Sequence, residues 1–244
     1  MAALGMAGAY DRAITVFSPQ GRLYQVEYAL ETVKSGSTVV GVAINEGIVL
    51  AVEERAYSKL QNPNYSQKLF QIDEHIGAAS SGLISDARIL IDSARVYAQI
   101  YRLTYDIMPS AEVIAKRIGD TMQLYTQHAG VRPFGVAILI GGVGDEGARL
   151  FYTEPSGVVM EYRGWSIGRG SEKARELLEA QYDASLSLEA AQVLCLKALL
   201  QGVEKAEENW TAKLVTIPMS TKVYTPVPAE EVSRLLEKAQ KSLA

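Results

Sequence analysis

Two histidines, His75 and His128, and one cysteine, Cys195, are all that this 244-residue chain offers to imidazole or thiolate chemistry. A Ser-His-Asp site would have to use one of the two, and neither stands in a nucleophile elbow between a strand and a helix. His75 lies between two apolar runs beside Asp73 and Glu74, the setting of a solvated turn residue. Cys195 falls among Val193, Leu194 and Leu196, where a thiol is buried and inert. No Cys or His pair has the spacing of a zinc site. Gly142, Gly144 and Gly147 match G-x-G-x-x-G, but a dinucleotide site needs a helix next, and Arg149 to Thr153 reads as the return arm of a hairpin. Gly168 to Ser171 do precede a helical pattern. Without a following P-loop lysine they read as a tight strand-to-helix connection rather than an anion cradle. Glu204, Glu207 and Glu208 read as a solvated helix end.

Composition narrows the field further. A chain of this length buries roughly 70% of its extended surface on folding, so one large core needs neither disulfides nor a metal. A single Cys points to a reducing, cytoplasmic setting. The 24 Lys and Arg are scattered against 28 Asp and Glu, which argues against a nucleic-acid partner. The longest uncharged run, Pro133 to Gly144, is too short to span a bilayer. Met1 to Ala9 carries no Lys or Arg and no sustained apolar stretch, so it does not read as a secretory leader. No cofactor is indicated.

The elements follow from periodicity. Ser18 and Pro19 supply an N-cap and a first-turn proline, which predicts a helix over 19–35 with Leu23, Val26, Leu30 and Val33 on one stripe and Gly36 at its end. Ser37 to Ile44 with Ile48 to Glu53, and Leu69 to Ile72 with Ile76 to Ser81, read as two hairpins. Two helices follow, Leu83 to about Tyr105 and Ser110 to about His128. Strands are expected at Gly135 to Gly141, Ala148 to Thr153, Val158 to Tyr162 and Trp165 to Ile167, then helices at Ser171 to Tyr182 and Ser187 to about Glu208. Short strands at Lys213 to Ile217 and Lys222 to Tyr224 precede a last helix from Ala229. This order predicts one α+β domain, a four-layer helix/sheet/sheet/helix sandwich of two antiparallel sheets over 36–244. The unbroken apolar run Val136 to Ile140 suits a sheet covered on both faces.

Tyr10 to Thr38, YDRAITVFSPQGRLYQVEYALETVKSGST, resembles the N-terminal signature of proteasome α-subunits, as found in archaeal-type 20S core particles. Gln67 to Arg88, Val131 to Leu139 and Leu150 to Gly157 resemble the same family in the same order. The resemblance implies the four-layer fold of the N-terminal nucleophile hydrolases and a non-catalytic role. Its particle stacks outer seven-membered α rings on inner β rings, and only β-subunits cut peptide bonds. In them maturation exposes a Thr whose own amine is the base, tuned by a Lys and two acidic groups. Here Ser37 falls where that Thr would be, behind a helix; Glu53 replaces one Asp, Ser185 replaces the other, and only Lys68 matches. The alternative is a self-processing hydrolase of the same superfamily, cut before Ser37 or Thr38.

By the same resemblance, Lys68 binds the C-terminal carboxylate of a docking activator, typically an ATPase ring whose tails end in a hydrophobic residue, tyrosine and any residue. Gly36, Gly82 and Leu83 form the pocket walls, and Glu27 receives the tyrosine region. Residues 1–12 are expected to be a mobile gating tail, with Tyr10, Asp11, Arg12, Pro19 and Tyr28 setting the gate. The implied partners are other α-subunits, β-subunits, the activator and unfolded proteins in transit, with no membrane.

Overall fold

A computed structural model describes residues 15–55, 58, 60–62, 65–203 and 210–243. In chain order the elements are α1 (Tyr24–Ser35), β1 (Val39–Ile44), β2 (Gly47–Arg55), β3 (Leu69–Asp73), β4 (Ile76–Gly82), α2 (Ile84–Tyr105) and α3 (Ala111–Gln127). Then come β5 (Val136–Gly144), β6 (Gly147–Thr153), β7 (Val159–Tyr162), β8 (Gly164–Ile167), α4 (Ser171–Gln181), α5 (Leu188–Gly202), β9 (Trp210–Pro218), β10 (Thr225–Pro226) and α6 (Ala229–Lys241).

The strands form two five-stranded sheets, ordered β10-β9-β2-β1-β8 and β3-β4-β5-β6-β7, and every pairing is antiparallel. The unbroken apolar runs follow from this stacking. Along β5, Val136, Ile138 and Ile140 face α2 and α3, while Ala137, Leu139 and Val143 face the other sheet. Along β1, Val40, Val42 and Ile44 pack under α4, α5 and α6, and Val39 and Ala43 fill the layer between the sheets. Each strand is thus apolar on both sides because both sides are covered. The predicted four layers are the observed ones, with α6 joining the α4–α5 layer. At about 1.5–3 kcal/mol per buried branched side chain, these three apolar layers are the main source of stability.

Helix α1 lies across one end of the sandwich. Val26, Ala29 and Val33 are buried, and Val33 reaches the cluster between the sheets. Its start differs from the expectation. Ser18 and Pro19 belong to a turn, closed by Gly21 N–H to Ser18 O at 2.8 Å, Ser18 N–H to Arg22 O at 2.9 Å and Arg22 N–H to Ser18 Oγ at 3.1 Å. Gly21 has φ +76°, a left-handed conformation no helix interior adopts, so helical winding waits until Tyr24.

Three further expectations need correction. Helix α5 ends at Gly202 rather than near Glu208, because the backbone turns extended at Val203; Glu204, Glu207 and Glu208 lie outside the described residues. The last short strand is Thr225–Pro226, not Lys222 to Tyr224, since Lys222 has φ +53° and breaks the extended chain. His75 is not solvated: it is 3% exposed, with Nε2 bonded to Pro109 O at 2.8 Å, where the corner between α2 and α3 covers the β3–β4 turn.

Candidate functional site

The end of the sandwich under α1 brings four of the predicted residues into one neighbourhood. Helix α1 stops at Gly36, whose N–H bonds Val33 O at 3.0 Å. A Cβ on Gly36 would lie 2.4 Å from Ser81 Oγ and 2.5 Å from Gly82 N, so the helix end can rest against β4 only as glycine. Ser81 Oγ donates to Ser37 O at 2.9 Å and pins the chain entering β1. Gly82 has φ +112°, and Leu83 follows it, 39% exposed.

Lys68 stands beside them because it immediately precedes β3 and is tied to β4, with Ser80 N–H donating to Lys68 O at 3.0 Å. Its Nζ turns inward and donates to Glu53 O at 3.0 Å. Burial pushes the Lys68 ammonium down to about 8; Glu53 and Glu54 oppose that shift, and Arg55 and Arg169 add to it. Glu53 is itself fully buried. Its Oε2 accepts Thr38 N–H at 3.0 Å, and its Oε1 faces Arg169 Nη2 at 3.2 Å and Arg55 Nε at 3.4 Å. Here a buried carboxylate is held by two guanidinium groups, with one ammonium hydrogen-bonded to its own main chain.

The remaining predicted residues are elsewhere. Glu27 lies nine positions before Gly36, about 13 Å along the helix axis, where it takes a two-pronged ion pair from Arg22. Hydrogen bonding to that guanidinium holds the Glu27 carboxyl below its ordinary value. Tyr28 is 49% exposed on the same helix, and Pro19 sits in the turn before it. Tyr10, Asp11 and Arg12 lie outside the described residues.

Of the three residues set against the threonine-peptidase pattern, Ser37 leads into β1 and Glu53 accepts the N–H of the next residue, Thr38, but Ser185 lies elsewhere. The loop that carries it meets the far end of β1, with Asn45 N–H bonded to Ala184 O at 2.9 Å, so Ser185 is a strand length, about 20 Å, from Ser37. Sequence reasoning missed Arg169. Its only signal is its place in Gly168-Arg169-Gly170, the tight connection after β8. There its N–H bonds Gly36 O at 2.9 Å, while Gly170 N–H bonds Thr38 Oγ1 at 3.2 Å. Those N–H groups serve the fold rather than an anion. Ser37 follows a packed helix, so no free amine stands beside its hydroxyl.

Among the described residues no group of three His, Cys, Asp or Glu could hold a metal, and no helix is long and apolar enough to cross a membrane. Helix α2 carries a second surface. Ile89, Val96, Ile100 and Leu103 recur at seven-, four- and three-residue steps on the side away from the core, and Leu103 is 88% exposed. That is an apolar seam with no partner element among the described residues.

Comparison with known proteins adds an independent line. The family model described as "Proteasome subunit" matches residues 33–217, and the model of the N-terminal signature of A-type proteasome subunits matches residues 10–31. The proteasome alpha subunit of Methanocaldococcus jannaschii is 50% identical over 231 residues, 94% of this chain and 88% of that protein. The proteasome alpha subunit of Methanothermobacter thermautotrophicus is 50% identical over 223 residues, 91% and 90%. That of Methanosarcina thermophila is 47% identical over 228 residues, 93% and 92%.

Proposed function

This chain belongs to the proteasome subunit family as an α-subunit of the 20S core, and from that premise we propose that it forms the outer seven-membered ring, gates substrate entry and docks an activator. It cuts no peptide bond itself; β-subunits supply that chemistry. The observation that carries this reading is the end of the sandwich under α1. Ser37 has a helix in front of it instead of a free amine, and Lys68 beside Gly36, Gly82 and Leu83 offers a cation to a carboxylate. An ammonium paired with a terminal carboxylate forms a charge-assisted hydrogen bond, stronger than a neutral one.

The test is a native mass of the purified chain together with a peptide-hydrolysis assay. The expected result is a ring of full-length chains without activity. An active species shortened to begin at Ser37 or Thr38 would establish the self-processing hydrolase instead.

The α2 seam supports the assembly part of the reading, since a large apolar stripe on a subunit surface marks a place another subunit covers. Burying Leu103 alone is worth about 1.5–3 kcal/mol per contact, repeated in each subunit. Leu103→Glu is therefore expected to block formation of the complete particle with β-subunits while the free chain keeps its melting temperature. Normal assembly by native mass would remove this helix from the subunit contacts.

A further inference from the structure

We infer that Asp86 and Arg132 are positioning residues for the activator pocket, an inference that rests on the docking role proposed above. Of the wall Gly82–Leu83, Gly82 is still held by its strand, paired with Val136 of β5, whereas Leu83 lies beyond the end of β4. It is held by a closed circuit of hydrogen bonds to the segment before β5. Leu83 N–H donates to Gly135 O at 2.8 Å, Gly135 N–H donates to Asp86 Oδ2 at 2.9 Å, and Asp86 N–H donates to Leu83 O at 3.1 Å.

Arg132 locks the circuit from outside. Its Nη1 donates to Asp86 Oδ2 at 2.6 Å and to Pro133 O at 2.9 Å, and its Nη2 donates to Asp86 Oδ1 at 2.8 Å. This two-pronged geometry fixes direction as well as distance, which a lysine cannot do. Burial raises the Asp86 carboxyl, but the bonds from Arg132 and Gly135 overcome that and hold it below its ordinary value, so the clamp stays charged at neutral pH.

The fit is tight where it touches the pocket. A Cβ on Gly82 would lie 2.3 Å from Gly135 O, and one on Gly135 would meet Thr32 of α1 at 3.4 Å. Gly135 therefore lies between the pocket wall and the helix that ends at Gly36, in contact with both. A loosened clamp lets Leu83 drift from Lys68 without removing any group that touches the incoming tail, and sites a fraction of an ångström too loose lose affinity first.

The experiment uses the assembled core particle and a short synthetic peptide ending in leucine, tyrosine and alanine, with stimulation of fluorogenic peptide hydrolysis followed against peptide concentration. Arg132→Ala is expected to raise the half-saturating concentration about tenfold, with the saturating rate retained; Arg132→Lys, which keeps the charge and one bond, is expected to raise it about threefold. A merely structural role would lower the particle's melting temperature and its maximal rate and leave the half-saturating concentration in place. Where Arg132→Ala does not assemble, the lysine variant decides by the same criterion. An unshifted curve, while Lys68→Ala still abolishes stimulation, overturns the positioning role alone. A Lys68→Ala particle that responds normally overturns the docking site and this inference together.

Discussion

Lys68→Ala is expected to abolish activator-stimulated hydrolysis by the assembled particle, with native mass still reporting a complete core. The substitution removes the ammonium that donates to Glu53 O at the end of the sandwich under α1. A hydrogen bond to a charged group contributes about 1.5–3 kcal/mol, so each docked tail loses roughly tenfold to a hundredfold in affinity. An activator that engages several subunits at once loses that factor at each contact, and its avidity collapses. Lys68→Arg should recover only part of the effect, because a planar fork does not follow the path that takes Nζ to Glu53 O.

The same lysine predicts a pH dependence with a definite sign. Burial places its pKa at about 8, below the ordinary range, so it is an ammonium under that pH and a neutral amine above it. Docking should therefore hold between pH 6 and 7.5 and weaken as pH rises through about 8, and an acidic-limb loss in that window would contradict the assignment. The linkage to stability has the opposite direction. A folded pKa below the unfolded one means the folded chain releases this proton first, so the cost of burying the ammonium is relieved as pH climbs from about 8 to the ordinary lysine value. Docking that fades while the free particle does not destabilise is a signature that general alkaline unfolding cannot imitate.

Deleting Met1 to Arg12 is the second change with a large expected effect, a rise of about tenfold in hydrolysis of small peptides by the particle without activator, if the reaction is limited by entry. Twelve extended residues reach at most about 40 Å. Their composition suits a gate, since Ala, Gly and Met with no charge before Asp11 give little to pack against within one chain and little to repel a neighbouring copy. In the shortened particle the activator should add little further stimulation, and Lys68→Ala should no longer matter for small peptides. An unchanged rate after deletion would remove the gate from the proposed function and leave the docking pocket standing.

The residues expected at the site from the sequence divide along the structure. Lys68, Gly36, Gly82 and Leu83 form one neighbourhood, while Glu27 and Tyr28 stand about two turns or more up α1. Glu27 is engaged by Arg22.

Much of this was legible in the chain itself. The sandwich followed from the alternation of β-branched runs with helical stripes, because burial on both faces of a sheet leaves an unmistakable apolar run, as in Val136 to Ile140. The elements misplaced from sequence failed for local reasons. Ser18-Pro19 has the chemistry of a helix start, but Gly21 at positive φ closes a turn first. His75 has the neighbours of a surface turn, and only the packing of α2 and α3 over that turn buries it.

Composition and strand order by themselves determined a four-layer α+β sandwich, and the Tyr10 to Thr38 string carried the resemblance to proteasome α-subunits, the family to which the chain belongs. Tertiary structure decided which distant residues share a site. It removed Ser185 from the neighbourhood of Ser37, set Arg169 against Glu53, turned Lys68 inward and tied Leu83 to Arg132. Sequence spacing reports contacts along one helix or strand, where geometry is periodic. These contacts join residues 15 to 116 positions apart, and only the stacking of two sheets and the docking of α1 across their end determines which of them meet.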